Sequence, residues 1–162
     1  MSGGPSAVSN KAVVAGTLAG CIAIAAAVIL PWEGNEPTGY VDIVGVATAC
    51  VGHTGRDVVV GKTYSPEQCE AWFKSDVGEA ARAVDRCVTV PMPDKVWSAW
   101  TSLAFNIGTR AFCGSTLVRK ANAGDLPGAC AQISRWDHAG GKRVRGLTRR
   151  RAAERQLCEE GL

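Results

Sequence analysis

The sequence predicts an α+β fold: a small strand-rich lobe, then a larger and mostly helical lobe, with an apolar helix ahead of both. Three observations carry this. An uncharged run of 19 residues, Ala12 to Leu30, lies near the start. Tyr40 to Gly61 is rich in valine and threonine and is broken by Gly45, Gly52, Gly55 and Gly61, the pattern of short strands and turns. Beyond residue 64 the apolar residues recur at helical spacing. A chain of 162 residues with 46% hydrophobic content supports one compact domain and little more. The natural division is residues 1–30 as an N-terminal segment and 31–162 as the folded domain.

The 19-residue run is just long enough for a helix to cross a bilayer, which takes roughly 20 residues. Lys11 precedes it, and Glu33, Glu36 and Asp42 follow. That asymmetry puts the N-terminus in the cytoplasm and the rest outside. Seven alanines, two glycines and Thr17 make the run only weakly apolar. Three readings stay open: a permanent anchor, a signal peptide cut near Ala25-Ala26-Ala27, or a span able to leave the bilayer. Gly16 and Gly20 form a GxxxG that can pair helices.

The helical part begins at "YSPEQCEAWF". Ser65 is a cap, Pro66 the first helical residue, and Gln68 completes a capping box. Trp72, Phe73 and Val77 then fall on one face. "VPMP", Val90 to Pro93, interrupts the chain, and a helix follows from about Asp94 that buries Val96, Trp100 and Leu103. "STLVRKAN" and "LPGACAQISRW" read as two short helices, and Thr148 to Cys158 as the last. Ser115 and Thr116 suit a helix cap better than a nucleophile, since no base pairs with them. Most of the five tryptophans are expected in the core.

Seven cysteines are many for a cytosolic chain of this size, and none has zinc-ligand spacing, so no metal or cofactor is expected. Disulfides in an oxidising compartment fit better. Cys50, Cys69, Cys87, Cys113, Cys130 and Cys158 are even in number and leave Cys21 over. Six cysteines allow fifteen pairings. Cys113 and Cys130 flank one helix-turn unit and are expected to pair, with Cys50–Cys69 and Cys87–Cys158 completing the set. Cys21, inside the apolar run, is a candidate regulatory thiol that could exchange with a disulfide of Cys50 once exposed.

Net charge is +3, but Lys142, Arg143, Arg145, Arg149, Arg150, Arg151 and Arg155 crowd the end of the chain against Glu154. The cluster suits nucleic acid, a plain exposed helix face, or another polyanion.

The chemistry lies in "WEGNEPTGYVDIVGVATACVGHTG", Trp32 to Gly55. Eight residues separate Glu33 from Asp42, and five separate Asp42 from Thr48. Cutting a glycosidic bond needs an acid for the leaving oxygen and a carboxylate that steadies charge or orients water. A neighbouring hydroxyl can hold that water. The E-x8-D-x5-T pattern resembles that of the T4-lysozyme-like endolysin family, glycoside hydrolase family 24. "GHTG" at Gly52, "FNIG" at Phe105, "STLVRKANAGD" at Ser115, "RWDHAGGK" at Arg135 and "GLTRRRAAER" at Gly146 are similar to further family segments, in order. The resemblance covers about residues 31 to 158.

The resemblance implies a lysozyme-like fold with the active-site cleft between the lobes. It implies hydrolysis of the β-1,4 bond between N-acetylmuramic acid and N-acetylglucosamine in peptidoglycan. Glu33 would be the general acid, in an apolar setting made by Trp32 and the preceding helix, and Asp42 and Thr48 would handle water. His53 would be structural, held by a carboxylate of the helical lobe. Asn106 would either hold the cleft or touch sugar, and His138 would lie on a surface loop. Peptidoglycan, with its acidic stems, becomes the expected polyanion in place of nucleic acid. The first segment resembles a signal-anchor-release helix. The host secretion machinery would then place an inactive monomer in the inner membrane, facing the periplasm, before its release into that space. Cys50, two residues past Thr48, departs from the family pattern and on a strand would share its face. The rival reading is a non-enzymatic, membrane-anchored peptidoglycan-binding protein on the same scaffold.

Overall fold

A computed structural model describes residues 18–162. It begins with α1, Leu18–Ile29, followed by a 3-10 turn, Leu30–Trp32. Ala25 and Ile29 stand four residues apart, so they share one face, and both are fully buried. That face rests on α3, Asp94–Ile107. The opposite side, including Ile24, stays exposed. Among the described residues no helix is long and apolar enough to cross a membrane. Residues 12–17 of the apolar run lie outside the described residues.

The small lobe is a three-stranded antiparallel sheet in the order β1-β2-β3: Glu36–Val41, Ala47–Cys50 and His53–Thr54. Tyr40 faces Thr48 in its register. The valines at 58–60 form a turn rather than a strand, closed by Val58 N–H donating to the Gly55 carbonyl and Lys62 N–H to that of Val59.

The helical lobe starts with α2, Pro66–Cys87. Ser65 Oγ accepts the Gln68 N–H at 3.1 Å, which satisfies one of the donors a helix start leaves orphaned. Helix α3 is the axis of the molecule. Every residue from Val96 to Ala104 is buried, polar Ser98, Thr101 and Ser102 included. A helix apolar nearly all round has to be covered on all sides, and α1, α2 and α7 do so. Two short helices follow, α4 at Thr109–Cys113 and α5 at Thr116–Asn122, the latter capped by Ser115. Then come α6, Leu126–Gln132, and α7, Arg145–Glu160. The last helix starts three residues ahead of the expected Thr148. A two-residue hairpin, β4 (His138–Ala139) and β5 (Lys142–Arg143), precedes it where a loop was expected. Gly140 and Gly141 both take positive φ there, which a tight hairpin turn demands.

Three disulfides join the six cysteines, and two pairings differ from expectation. Cys50–Cys69 is present. Cys87 bonds Cys113, not Cys158, and Cys130 bonds Cys158, not Cys113. Packing, not sequence proximity, decides this. The end of α2 lies on α4, bringing the Cα atoms of Cys87 and Cys113 to 5.5 Å. Helix α6 lies on α7, bringing Cys130 and Cys158 to 5.7 Å. Both separations suit the bond. A non-reducing peptide map should find these pairs. Replacing Cys130 and Cys158 together with serine should lower stability by ~2–5 kcal/mol in urea unfolding. A Cys113–Cys130 peptide would refute the assignment.

Candidate active site

Glu33 leaves the 3-10 turn in extended conformation, its N–H donating to the Leu30 carbonyl. The fold then does two things to its side chain. On one side Arg150 Nη1 donates to Glu33 Oε1 at 2.5 Å, from a guanidinium that is itself buried. On the other side Oε2 lies over Gly52 in the β2–β3 turn. A Cβ built at Gly52 would stand 3.3 Å from that oxygen. Gly52 also has φ +69, so any other residue would be strained there as well. The expected apolar setting for Glu33 is therefore replaced by an ion pair. Trp32, next to it, is only half-buried.

Arg150 belongs to a network of charged groups inside the helical lobe. Glu154 is fully buried. Its Oε1 accepts from Arg150 Nε at 3.1 Å, Arg151 Nη2 at 2.9 Å and Ser102 Oγ at 2.6 Å. Arg151 Nε lies 2.7 Å from Glu154 Oε2, and Arg151 Nη1 donates to Asn106 Oδ1 at 3.0 Å. Burial holds the Arg151 guanidinium below the usual arginine range, with the Glu154 charge opposing it. Asn106, on exposed surface, is thereby tied to the network that reaches Glu33.

Asp42 sits at the end of β1. Its Oδ1 accepts the N–H groups of Val44 (2.9 Å) and Val46 (2.8 Å), so the carboxylate holds the hairpin turn. Thr48 is buried on β2, and its hydroxyl donates to the Val46 carbonyl at 3.1 Å. The register that sets Thr48 opposite Tyr40 places it beside the strand end carrying Asp42. Cys50 ends β2 with a positive φ of 58°, and its side chain bonds Cys69 of α2, tying sheet to helix. His53 is held as the resemblance implies. Its Nδ1 lies 2.8 Å from Asp76 of α2, and its ring stacks on Trp72 with centroids 4.3 Å apart. Burial pushes the Asp76 carboxyl up, against the lowering effect of His53. Cys21 is on α1, and its side chain lies outside the described residues.

Sequence reasoning missed Arg150, Glu154, Ser102 and Gly52. It placed the arginines of "GLTRRRAAER" on a basic surface. Arg150 and Arg151 are internal, and Arg155 pairs with Glu159. The signal available was the single acid in that run, three residues from Arg151 and four from Arg150, which sets all three on one helix face.

A small sheet, a helical lobe built round one buried helix, and a carboxylate held where they meet define a lysozyme-type protein. The Phage lysozyme family model matches residues 31–154, and the chain belongs to that family. It is a glycoside hydrolase of the endolysin kind. It is 44% identical over 155 residues to the SAR-endolysin of Enterobacteria phage P21, covering 92% of this chain and 94% of the relative. The active form of the P1 phage endolysin Lyz superposes with a TM-score of 0.74 at 28% identity, over 85% of this chain and 84% of that one. The secreted inactive form of Lyz reaches 0.50 at 28% identity, over 66% of this chain and 76% of that one.

Proposed function

We propose that the chain is a muramidase, cutting the β-1,4 bond after N-acetylmuramic acid in peptidoglycan, and that leaving the membrane switches it on. The observation that carries the first half is Glu33, fixed between Arg150 and Gly52 within the E-x8-D-x5-T frame. Glu33 donates a proton to the leaving glycosidic oxygen. Asp42 steadies the developing positive charge or orients water, and Thr48 helps to place that water. Arg150 fixes the direction of the Glu33 carboxyl, so the acid meets its substrate in one geometry. Digesting purified peptidoglycan and identifying the new reducing ends tests this. Muramic acid ends are expected, and glucosamine ends would reject it.

The packing of α1 supports the second half. Glu33 comes four residues after Ile29, which α3 buries completely. With residues 12–30 in a bilayer, that contact is absent, and the chain entering Glu33 loses its anchor on the body. Docking of the helix after release then brings Glu33 to Arg150. Segment 1–30 is thus the tether, and once it is free its residues 18–30 are part of the fold, with the 31–162 domain in the periplasm of the host. Replacing Gly16 and Gly20 with leucine adds apolar transfer energy, on the order of 1 kcal/mol or more per change. The variant should stay in the membrane fraction and lyse cells late or never. Equal release of both forms would count against this switch.

A further inference from the structure

The β lobe carries apolar surface that its own fold does not use. At the tip of the β1–β2 hairpin Ile43 is 98% exposed and Val44 75%. Val41 and Val46 flank the tip and are exposed too. The turn at 59–61 lies against the same strand, with Gly39 N–H donating to the Lys62 carbonyl and Gly61 N–H to that of Gly39. It adds exposed Val59 and Val60 beside the hairpin. The turn itself is held by Asp42 Oδ1 and backbone groups, so the fold makes no demand for isoleucine or valine at 43 and 44. Large aliphatic side chains projecting into water without a packing role mark an interaction surface.

We infer that the hairpin tip is a lipid-contact site: while the N-terminal segment is in the bilayer, Ile43 and Val44 enter the membrane interface and keep Asp42 at that surface. This rests on the tethered state proposed above and adds a second point of attachment to it. Ile43 comes only eleven residues after Trp32, a reach of at most about 36–40 Å even if fully extended. Residues 36–41 fold into β1, so the true reach is shorter. The tip is therefore confined near the bilayer whenever the segment spans it. The side chains also suit lipid better than glycan. A sugar chain needs hydrogen-bond partners and aromatic faces, and these branched aliphatic groups supply neither. Exposed Arg56 and Lys62 flank the valine turn, and cations beside apolar side chains suit an interface with anionic headgroups.

A photoreactive p-benzoylphenylalanine in place of Ile43, in the full-length chain, tests this in two settings. In cells, irradiation should give phospholipid adducts on the hairpin peptide in the membrane fraction and none on released protein. With purified full-length chain, vesicles of phosphatidylethanolamine and phosphatidylglycerol should give the same adduct. If no membrane fraction exists, the tethering reading fails, and the vesicle adduct alone decides the hairpin. A membrane-bound chain with no lipid adduct at 43 overturns the inference and leaves the tether standing. Glycan adducts in place of lipid adducts would assign the tip to the wall. Ile43→Asp with Val44→Asp should shorten the half-time of release several-fold, and an unchanged half-time would show that the tip does not hold the protein.

Discussion

Glu33→Gln should lower peptidoglycan hydrolysis by ~10²–10⁴-fold, the usual contribution of a positioned acid or base. Glutamine has nearly the same shape and can still accept the Arg150 hydrogen bond through its amide oxygen. It cannot deliver a proton to a glycosidic oxygen. The variant should therefore stay folded and bind wall while failing to cut it. Asp42→Asn should also be severe, although the hairpin survives, because an asparagine oxygen can accept the Val44 and Val46 N–H groups. Clearing of outer-membrane-permeabilised cells measures both. A folded Glu33→Gln protein that clears them near the wild-type rate would sink the role assignment. A wild-type protein that binds wall without clearing would favour the binding-only alternative.

Glu154→Ala should destabilise the protein by about 3–5 kcal/mol, the cost of leaving a buried charge without its partner. The reason is the count of charges inside the lobe. Arg150 and Arg151 are both buried, and Glu154 accepts from both. Alanine leaves them with Glu33 and Asn106 alone. Ser102, at 2.6 Å from Glu154 on the fully buried face of α3, also loses its acceptor. Urea unfolding of the two proteins reads the difference. A loss below about 1 kcal/mol, the range of an exposed pair, would mean that water reaches the network.

How legible the molecule was from its sequence depended on how local each cause is. The start of α2 was readable because Ser65, Pro66 and Gln68 act within one turn. The strands were readable from glycine and valine spacing, and an ordered motif singled out Glu33, Asp42 and Thr48 as the candidates for the site. The disulfide partners of Cys87 and Cys130 were not, because they depend on α2 meeting α4 and α6 meeting α7. The arginine run misled for the same reason. On paper three adjacent cations look like surface, and only the packing of α7 on α3 turns two of them inward. The short β4–β5 hairpin was missed because it has too few residues for a period, although Gly140-Gly141 was a usable turn signal.

The pair formed by Glu33 and Arg150 spans 117 positions of the chain. Ribosomes add residues from the N-terminus at ~5–20 per second, so roughly 6–23 s pass between making the acid and making its arginine. Every nascent chain of 33 to 149 residues carries Glu33 without that partner. Glu154, which steadies the arginine, comes later still. Without α7 the pair cannot form, so a prematurely terminated fragment should lack hydrolytic activity even when free of the membrane.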